Sequence, residues 1–266
     1  MNHLYPTWAP ESMPWLEFNL TTIGMIFLAC IVASALCIWM TRGLRRDNPS
    51  KKQVIAEMFY NFIRNTVAGT LDMKLGQKFV TLAMTVFVYV FIANFLGIPL
   101  NISFSFTETT PFWENLGITQ EVIAEHSSDG HGAHVAFWTS PTASPSVTIS
   151  MAIAVVLFSQ AMGIAHRGTK NHFKHFLQPF ILFLPLHIIE EFTKVLTMGF
   201  RLYGNILAKE VLIGVILTMP FAVYYGGGFL TMAIWQGFGM FVGTLQAFVF
   251  TILTIVYISR QIVDDH

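Results

Sequence analysis

Residues 199–211 read Gly-Phe-Arg-Leu-Tyr-Gly-Asn-Ile-Leu-Ala-Lys-Glu-Val and lie in one of the most apolar parts of the chain. Arg201, Asn205, Lys209 and Glu210 stand among them. A charge at bilayer depth costs at least a few kcal/mol, so such residues read as a site that holds or moves ions. On a helix each residue turns by about 100°. Counted from Glu190, Lys194 falls at about 40°, Thr197 at about 340°, Arg201 at about 20°, Asn205 at about 60° and Lys209 at about 100°. They form one continuous polar face. Glu210 points about 180° away from Arg201. Along the axis Glu190 and Glu210 flank Arg201, each at roughly 13–17 Å. An ion-pair network holding a helix bundle together is the structural alternative, and Glu190 with Lys194 at i, i+4 suits it. Arg201 is different. Its own helix offers no acid within reach on that face, and the next helix has none before Asp264. Its partner is therefore expected on another chain.

The elements that must position this stripe follow from composition. The chain has 266 residues, is 54% hydrophobic and only 11% charged, with mean hydropathy +0.58. A soluble domain carries about twice that charged fraction. Several uncharged runs exceed the ~18 residues that read as a transmembrane helix. An integral membrane protein follows. Lys+Arg and Asp+Glu balance at 15 each, and no nucleic-acid partner is expected. Cys30 and Cys37 share one apolar run and read as packing or lipid-facing residues. No cleavable signal pattern is expected, because the first Lys or Arg, Arg42, comes after the first apolar run.

The first span covers 20–40. Arg42, Arg45, Arg46, Lys51 and Lys52 follow and place that side in the cytoplasm by the positive-inside rule. Over 53–73, Ile55, Met58, Phe59, Phe62 and Ile63 recur at helical spacing, with polar residues between them. This predicts an amphipathic helix, either on the inner membrane surface or packed on the bundle. A second span covers 79–100. Residues 101–145 contain neither Lys nor Arg and are expected outside. His126, His131 and His134 in that loop match no zinc-ligand spacing, so a solvated loop without metal is predicted. A third span covers 146–165, with Arg167, Lys170 and Lys174 after it.

Two long helices complete the chain, 185–219, stopped by Pro220, and 229–262, with Tyr-Tyr-Gly-Gly-Gly at 224–228 as the turn between them. About 35 residues make roughly 52 Å of helix, against a hydrocarbon core of about 30 Å. Both must tilt well beyond the usual ~20°. The expected fold is an all-α integral membrane protein and a single membrane domain. Five membrane-crossing helices are joined by one amphipathic interfacial helix, and the last two crossings form a long, steeply tilted hairpin. The N-terminus lies outside and the C-terminus in the cytoplasm. Gly237, Gly239, Gly243 and Ala247 make the last helix thin enough for close approach. Thr244, Thr251 and Thr254 are expected to bond their own backbone, which leaves Gln246 as the side chain facing a channel.

The stretch Met-Gly-Phe-Arg-Leu-Tyr-Gly-Asn-Ile-Leu-Ala-Lys-Glu-Val-Leu-Ile-Gly-Val, followed by Gly-Thr-Leu-Gln-Ala-Phe-Val-Phe-Thr-Ile-Leu-Thr-Ile-Val-Tyr-Ile-Ser, resembles the a subunit of bacterial F-type ATP synthases. Ser-Pro-Thr-Ala-Ser-Pro-Ser-Val-Thr-Ile-Ser-Met-Ala-Ile before the third span and the terminal Asp-Asp-His extend the resemblance over most of the chain. The resemblance implies that Arg201 is the family's essential arginine, separating two half-channels and facing the carboxylates of a ring of c subunits. Asn205, Glu210 and Gln246, beside Lys209, match the outer proton path, and Glu190, with Thr197 and His187, the inner one. It also implies a b subunit stalk, the remaining ATP synthase complex and membrane lipid as partners, no cofactor, and a bacterial inner-membrane location. Lys209 departs from the small residue, commonly Gly, that many relatives have there. Two readings of it stand open, an ammonium that snorkels to the outer interface and a pH-sensitive gate beside Glu210.

A secondary cation/proton transporter is the alternative class. It would show internal repeats and broken helices in matching halves, and no such pairing is present in the sequence. A haem-carrying subunit would need paired intramembrane histidines. Of nine His residues only His187 falls in a hydrophobic helix. With no G-x-x-x-x-G-K-[ST] loop, no catalytic chemistry is expected in the chain itself.

Overall fold

The computed structural model describes residues 5–8, 17–46, 48–97, 103–106, 113, 116, 118, 120, 123, 133–169, 184–217 and 229–262. The elements run β1 (Thr7–Trp8), β2 (Phe18–Asn19), α1 (Leu20–Thr41), α2 (Lys51–Ala68), α3 (Met73–Leu96), β3 (Ser103–Phe106), β4 (Ala133–Ala136), α4 (Pro145–Arg167), α5 (Leu184–Leu217) and α6 (Phe229–Ile262). A 3-10 turn, Pro141–Ala143, precedes α4. Among the described residues the molecule is helical, with two short antiparallel ribbons, β1–β2 and β3–β4. Four helices among them are long and apolar enough to cross a membrane, within Leu20–Thr41, Leu75–Leu96, Pro145–Arg167 and Leu230–Ile262. α5 is as long as α6, at 34 residues each. Glu190, Glu191, Lys194, Arg201, Lys209 and Glu210 lower its hydropathy.

Local chemistry sets the helix ends. Asn19 caps α1, its Oδ1 accepting from Thr22 N at 3.0 Å, and Ser50 caps α2 by accepting from Gln53 N. Such caps satisfy amide donors that a first turn leaves unpaired. Pro145 occupies the first turn of α4, where its missing N–H costs nothing. Gly168 ends that helix at φ 78, a left-handed conformation open to glycine.

Several predicted boundaries move. α2 stops at Ala68 with Gly69 as its cap, and α3 begins at Met73 rather than 79. The turn is closed by Leu71 N donating to Val67 O and Gly76 N to Asp72 O. Within 101–145, β3 pairs with β4 in the register Ser103 to Ala136 through Phe106 to Ala133. Ile118, Ile123 and Val135 form a small core beside them, with Trp113 and Phe137 packed against it. The turn 224–228, Pro220, Lys170, Lys174, His126, His131 and the terminal Asp-Asp-His lie outside the described residues.

α2 is more than a surface helix. Ile63 and Val67 are buried with Phe79 and Val80 of α3 and Ile255 and Ile258 of α6, and Ser259 Oγ donates to Thr70 O. Val54, Ile55, Met58 and Phe62 stay exposed. The second core gathers Val90 of α3, Ala152 of α4, Met198 and Leu202 of α5, and Ala247 and Phe250 of α6. α4 and α5 approach so closely that a Cβ on Gly199 would sit 3.2 Å from the backbone of Ile149. This contact seats the middle of the polar stripe of α5.

Candidate functional site: a polar stripe, a cavity and an ion-pair cluster

Leu202 and Met198 turn one side of α5 into the core. Thr197, Arg201 and Asn205 are consequently turned to the molecular surface and are exposed. Arg201 forms no ion pair among the described residues. Phe200, Leu207, Val211, Leu230, Ile234, Phe238 and Phe241 are exposed on α5 and α6, so the guanidinium stands on a largely apolar surface.

Toward its C-terminal end the stripe meets a cavity of about 160 Å³. Its wall includes Asn94, Ser140, Asn205, Lys209, Trp235 and Gln246. Asn205 Nδ2 donates to Gln246 Oε1 at 2.9 Å, and Gln246 is buried. The two sequence-derived residues are thus brought together across α5 and α6. Trp235 Nε1 is buried with no partner among the described residues, an orphan donor that a cavity water would satisfy.

Sequence reasoning passed over the far wall. Asn94 Nδ2 donates to Gly243 O at 3.1 Å, and Thr142 Oγ1 donates to Asn94 Oδ1 at 2.9 Å. Ser140 Oγ shares a 2.7 Å hydrogen bond with Thr142 Oγ1 and donates to Ala93 O. All three side chains are buried. An Asn within an uncharged apolar span was the available signal, since a buried amide demands partners.

Lys209 reaches the end of α3. Its Nζ donates to Gly97 O, just beyond α3, at 3.2 Å, and its stem lies against Gly239, where an added Cβ would meet Cδ at 3.2 Å. Glu210 is half-buried on another side of α5 and does not line the cavity.

At the other end, Lys194 Nζ lies 2.6 Å from Glu191 Oε1 and 3.1 Å from Glu190 Oε1. Arg260 of α6, which sequence reasoning also missed, lies 3.7 Å from Glu190. Lys194 stands over the Tyr257 ring. Glu190 therefore joins an ion-pair cluster with Glu191, Lys194 and Arg260, while His187 is half-buried one turn before it. Among the described residues, no group of three or more His, Cys, Asp or Glu could hold a metal ion.

Apolar helices long enough to cross a membrane and, on α5, an arginine with no ion pair among the described residues define an integral membrane protein. The family model described as ATP synthase A chain matches residues 22–259. The chain is similar to ATP synthase subunit a of Bacillus subtilis (strain 168), 36% identical over 276 residues and covering the whole of both chains. It is 35% identical to the Bacillus velezensis protein of the same name, also over the whole of both. With that of Listeria monocytogenes it shares 36% over 270 residues. The chain belongs to the ATP synthase A chain family, a part of the membrane sector, CF(0), of an ATP synthase complex that couples ATP synthesis to proton transport.

Proposed function

We infer that this chain is the ion-translocating stator subunit of that complex, carrying protons to and from the carboxylates of a rotating c-ring through two half-channels. The reading rests on Arg201, a cation exposed on a largely apolar helix surface with no ion pair among the described residues. A carboxylate cannot face lipid while charged. It can face an arginine while charged, because an opposite charge favours the ionised form. Arg201 holds its own proton at any working pH, so it attracts each ring carboxylate in turn without passing a proton itself. The cavity beside Asn205 and Gln246, with Glu210 beyond it, serves as the outer path. Glu190, Thr197 and His187 serve the inner one, with Lys194 and Arg260 fixing the position of Glu190.

Five crossings with the N-terminus outside follow from the same reading, α5 joining the four apolar helices despite its charges. At 34 residues, α5 and α6 are about 51 Å long. They cross a core of about 30 Å as a tilted hairpin laid against the ring. The b subunit stalk and the rest of the complex hold the chain still in a bacterial inner membrane. Arg201→Ala is expected to abolish coupled ATP synthesis while the complex still assembles. Arg201→Lys fails as well, because a lysine loses its proton readily in an apolar site. Full synthesis by the Lys variant in membrane vesicles refutes the separator role.

A further inference from the structure

The junction between α1 and α2 takes no part in the polar stripe, and it is strongly basic. Residues 42–57 hold five cations, Arg42, Arg45, Arg46, Lys51 and Lys52, against two acids, Asp47 and Glu57. None of the five cations forms an ion pair among the described residues. The backbone here is pinned. Gly43 turns the chain at φ 78. Arg45 N donates to Gln53 Oε1 at 2.9 Å, and Gln53 Nε2 donates back to Arg45 O at 3.0 Å. The same Nε2 donates to Glu57 Oε1 at 2.8 Å. Gln53 is itself buried, so one seated amide fixes the stretch that carries both arginines. A pocket of about 450 Å³ opens in this corner, walled by Leu44, Arg45, Arg46, Pro49, Gln53 and Glu57.

The surroundings of the pocket are apolar. Counted from Val54 on α2, Met58, Lys51 and Ile55 fall between about 40° and 100°, whereas the buried Ile63, Val67 and Gln53 fall between about 180° and 260°. One side of α2 thus packs on the bundle while the other, with Val54, Ile55 and Met58, is exposed. Ile38 and Trp39 in the last turn of α1 are exposed as well. Lys52 Nζ stands 5.6 Å over the Trp39 ring and joins the two helices. α1 is long and apolar enough to cross a membrane, so its end sets this corner where a span leaves the bilayer. Pinned arginines beside exposed apolar side chains at that depth match a molecule with an anionic head and a hydrocarbon body.

We propose that the α1–α2 corner binds an anionic membrane phospholipid: Arg45 and Arg46 take its phosphate, Lys51 and Lys52 flank the headgroup, and the acyl chains lie along Trp39, Val54, Ile55 and Met58. Guanidinium groups suit a phosphate because their forked donors meet two oxygens at once. Five cations against two acids leave an excess of three positive charges, which selects an anionic headgroup over a zwitterionic one. Glu57, the acid on the pocket wall, belongs to the pin through Gln53. The site stands apart from the proton path and does not depend on it.

The test uses the whole complex in phosphatidylcholine nanodiscs holding a graded fraction of phosphatidylglycerol. Assembled complexes are re-extracted in neutral detergent, and the lipid retained per complex is counted by mass spectrometry. Wild type is expected to retain phosphatidylglycerol over phosphatidylcholine. Arg45→Gln combined with Arg46→Gln should raise the phosphatidylglycerol fraction needed for half-retention about thirtyfold, the product of two roughly fivefold losses for charges beside a membrane surface. Gln53→Leu keeps every cation and removes only the pin, and it should raise that fraction about fivefold, the equivalent of one charge. Lys78→Gln, an exposed cation on α3, leaves it unchanged. Equal retention of the two lipids by wild type overturns the proposal, as does undiminished retention by the double arginine variant. A like loss in Lys78→Gln, or full retention in Gln53→Leu, overturns the built site in favour of diffuse surface charge. Displacement of the lipid by inorganic phosphate in detergent overturns it in favour of a free anion. Loss of a partner subunit from the double variant, with phosphatidylglycerol still retained, overturns it in favour of a protein contact.

Discussion

Replacing Asn94 by alanine perturbs a side chain that joins α3, the 3-10 turn before α4, and α6. Asn94 gives one hydrogen bond to Gly243 O at 3.1 Å and receives one from Thr142 Oγ1 at 2.9 Å. A typical intramolecular hydrogen bond contributes about 1 kcal/mol, and a buried group left unpaired costs about 1–3 kcal/mol. Thr142 keeps a neighbour in Ser140, at 2.7 Å, and the Gly243 carbonyl, inside α6, keeps its i+4 helical N–H, so neither is orphaned. Two lost bonds give about 2 kcal/mol. The same wall encloses the cavity beside Asn205 and Gln246, so proton flow should fall together with stability. Because Asn94 and Thr142 share one network, Asn94→Ala combined with Thr142→Val should destabilise less than the sum of the singles, by about 1 kcal/mol. The assay is detergent-induced unfolding of the subunit within lipid nanodiscs holding the membrane sector, run beside passive proton conductance through that sector. Strictly additive singles, or an Asn94→Ala variant as stable and conductive as wild type, refute the network as drawn.

Three further outcomes are expected. Gly97→Ala puts a Cβ 2.4 Å from Ser140 Cβ and 2.9 Å from Ser140 N, so it should destabilise by about 1–3 kcal/mol; an unchanged thermal midpoint of the complex would show that the turn gives way. Lys194→Met leaves Glu190 and Glu191 without the ammonium 3.1 and 2.6 Å from them, and with Glu190 half exposed the cost is about 1–2 kcal/mol; it should weaken ATP-driven proton pumping, and restored pumping in Lys194→Arg would confirm that charge is what matters. Lys209→Gly frees the Gly97 carbonyl and empties the space beside Gly239, and it should weaken ATP synthesis more at strongly alkaline than at neutral outer pH; superimposable profiles would reduce Lys209 to packing.

Hydropathy and helical period by themselves determined that this is a helical membrane protein with a polar stripe on one apolar helix. Both are local properties: an uncharged run of sufficient length has no stable home but a bilayer, and the 100° step of a helix fixes which residues share a face. The family was legible too, because the Arg-Leu-Tyr-Gly-Asn block and the Leu-Gln-Ala-Phe block are contiguous in sequence. Loop 101–145 was harder, since the pairing of β3 with β4 spans residues 103 to 136 and short strands leave little periodicity to read. Partner choice lay beyond sequence altogether. Asn94 meets Gly243 across 149 residues, and Lys209 meets Gly97 across 112. Each of these side chains carries a donor that must find some acceptor once buried. Which acceptor it finds depends on how the helices cross, and only the packed structure decides that.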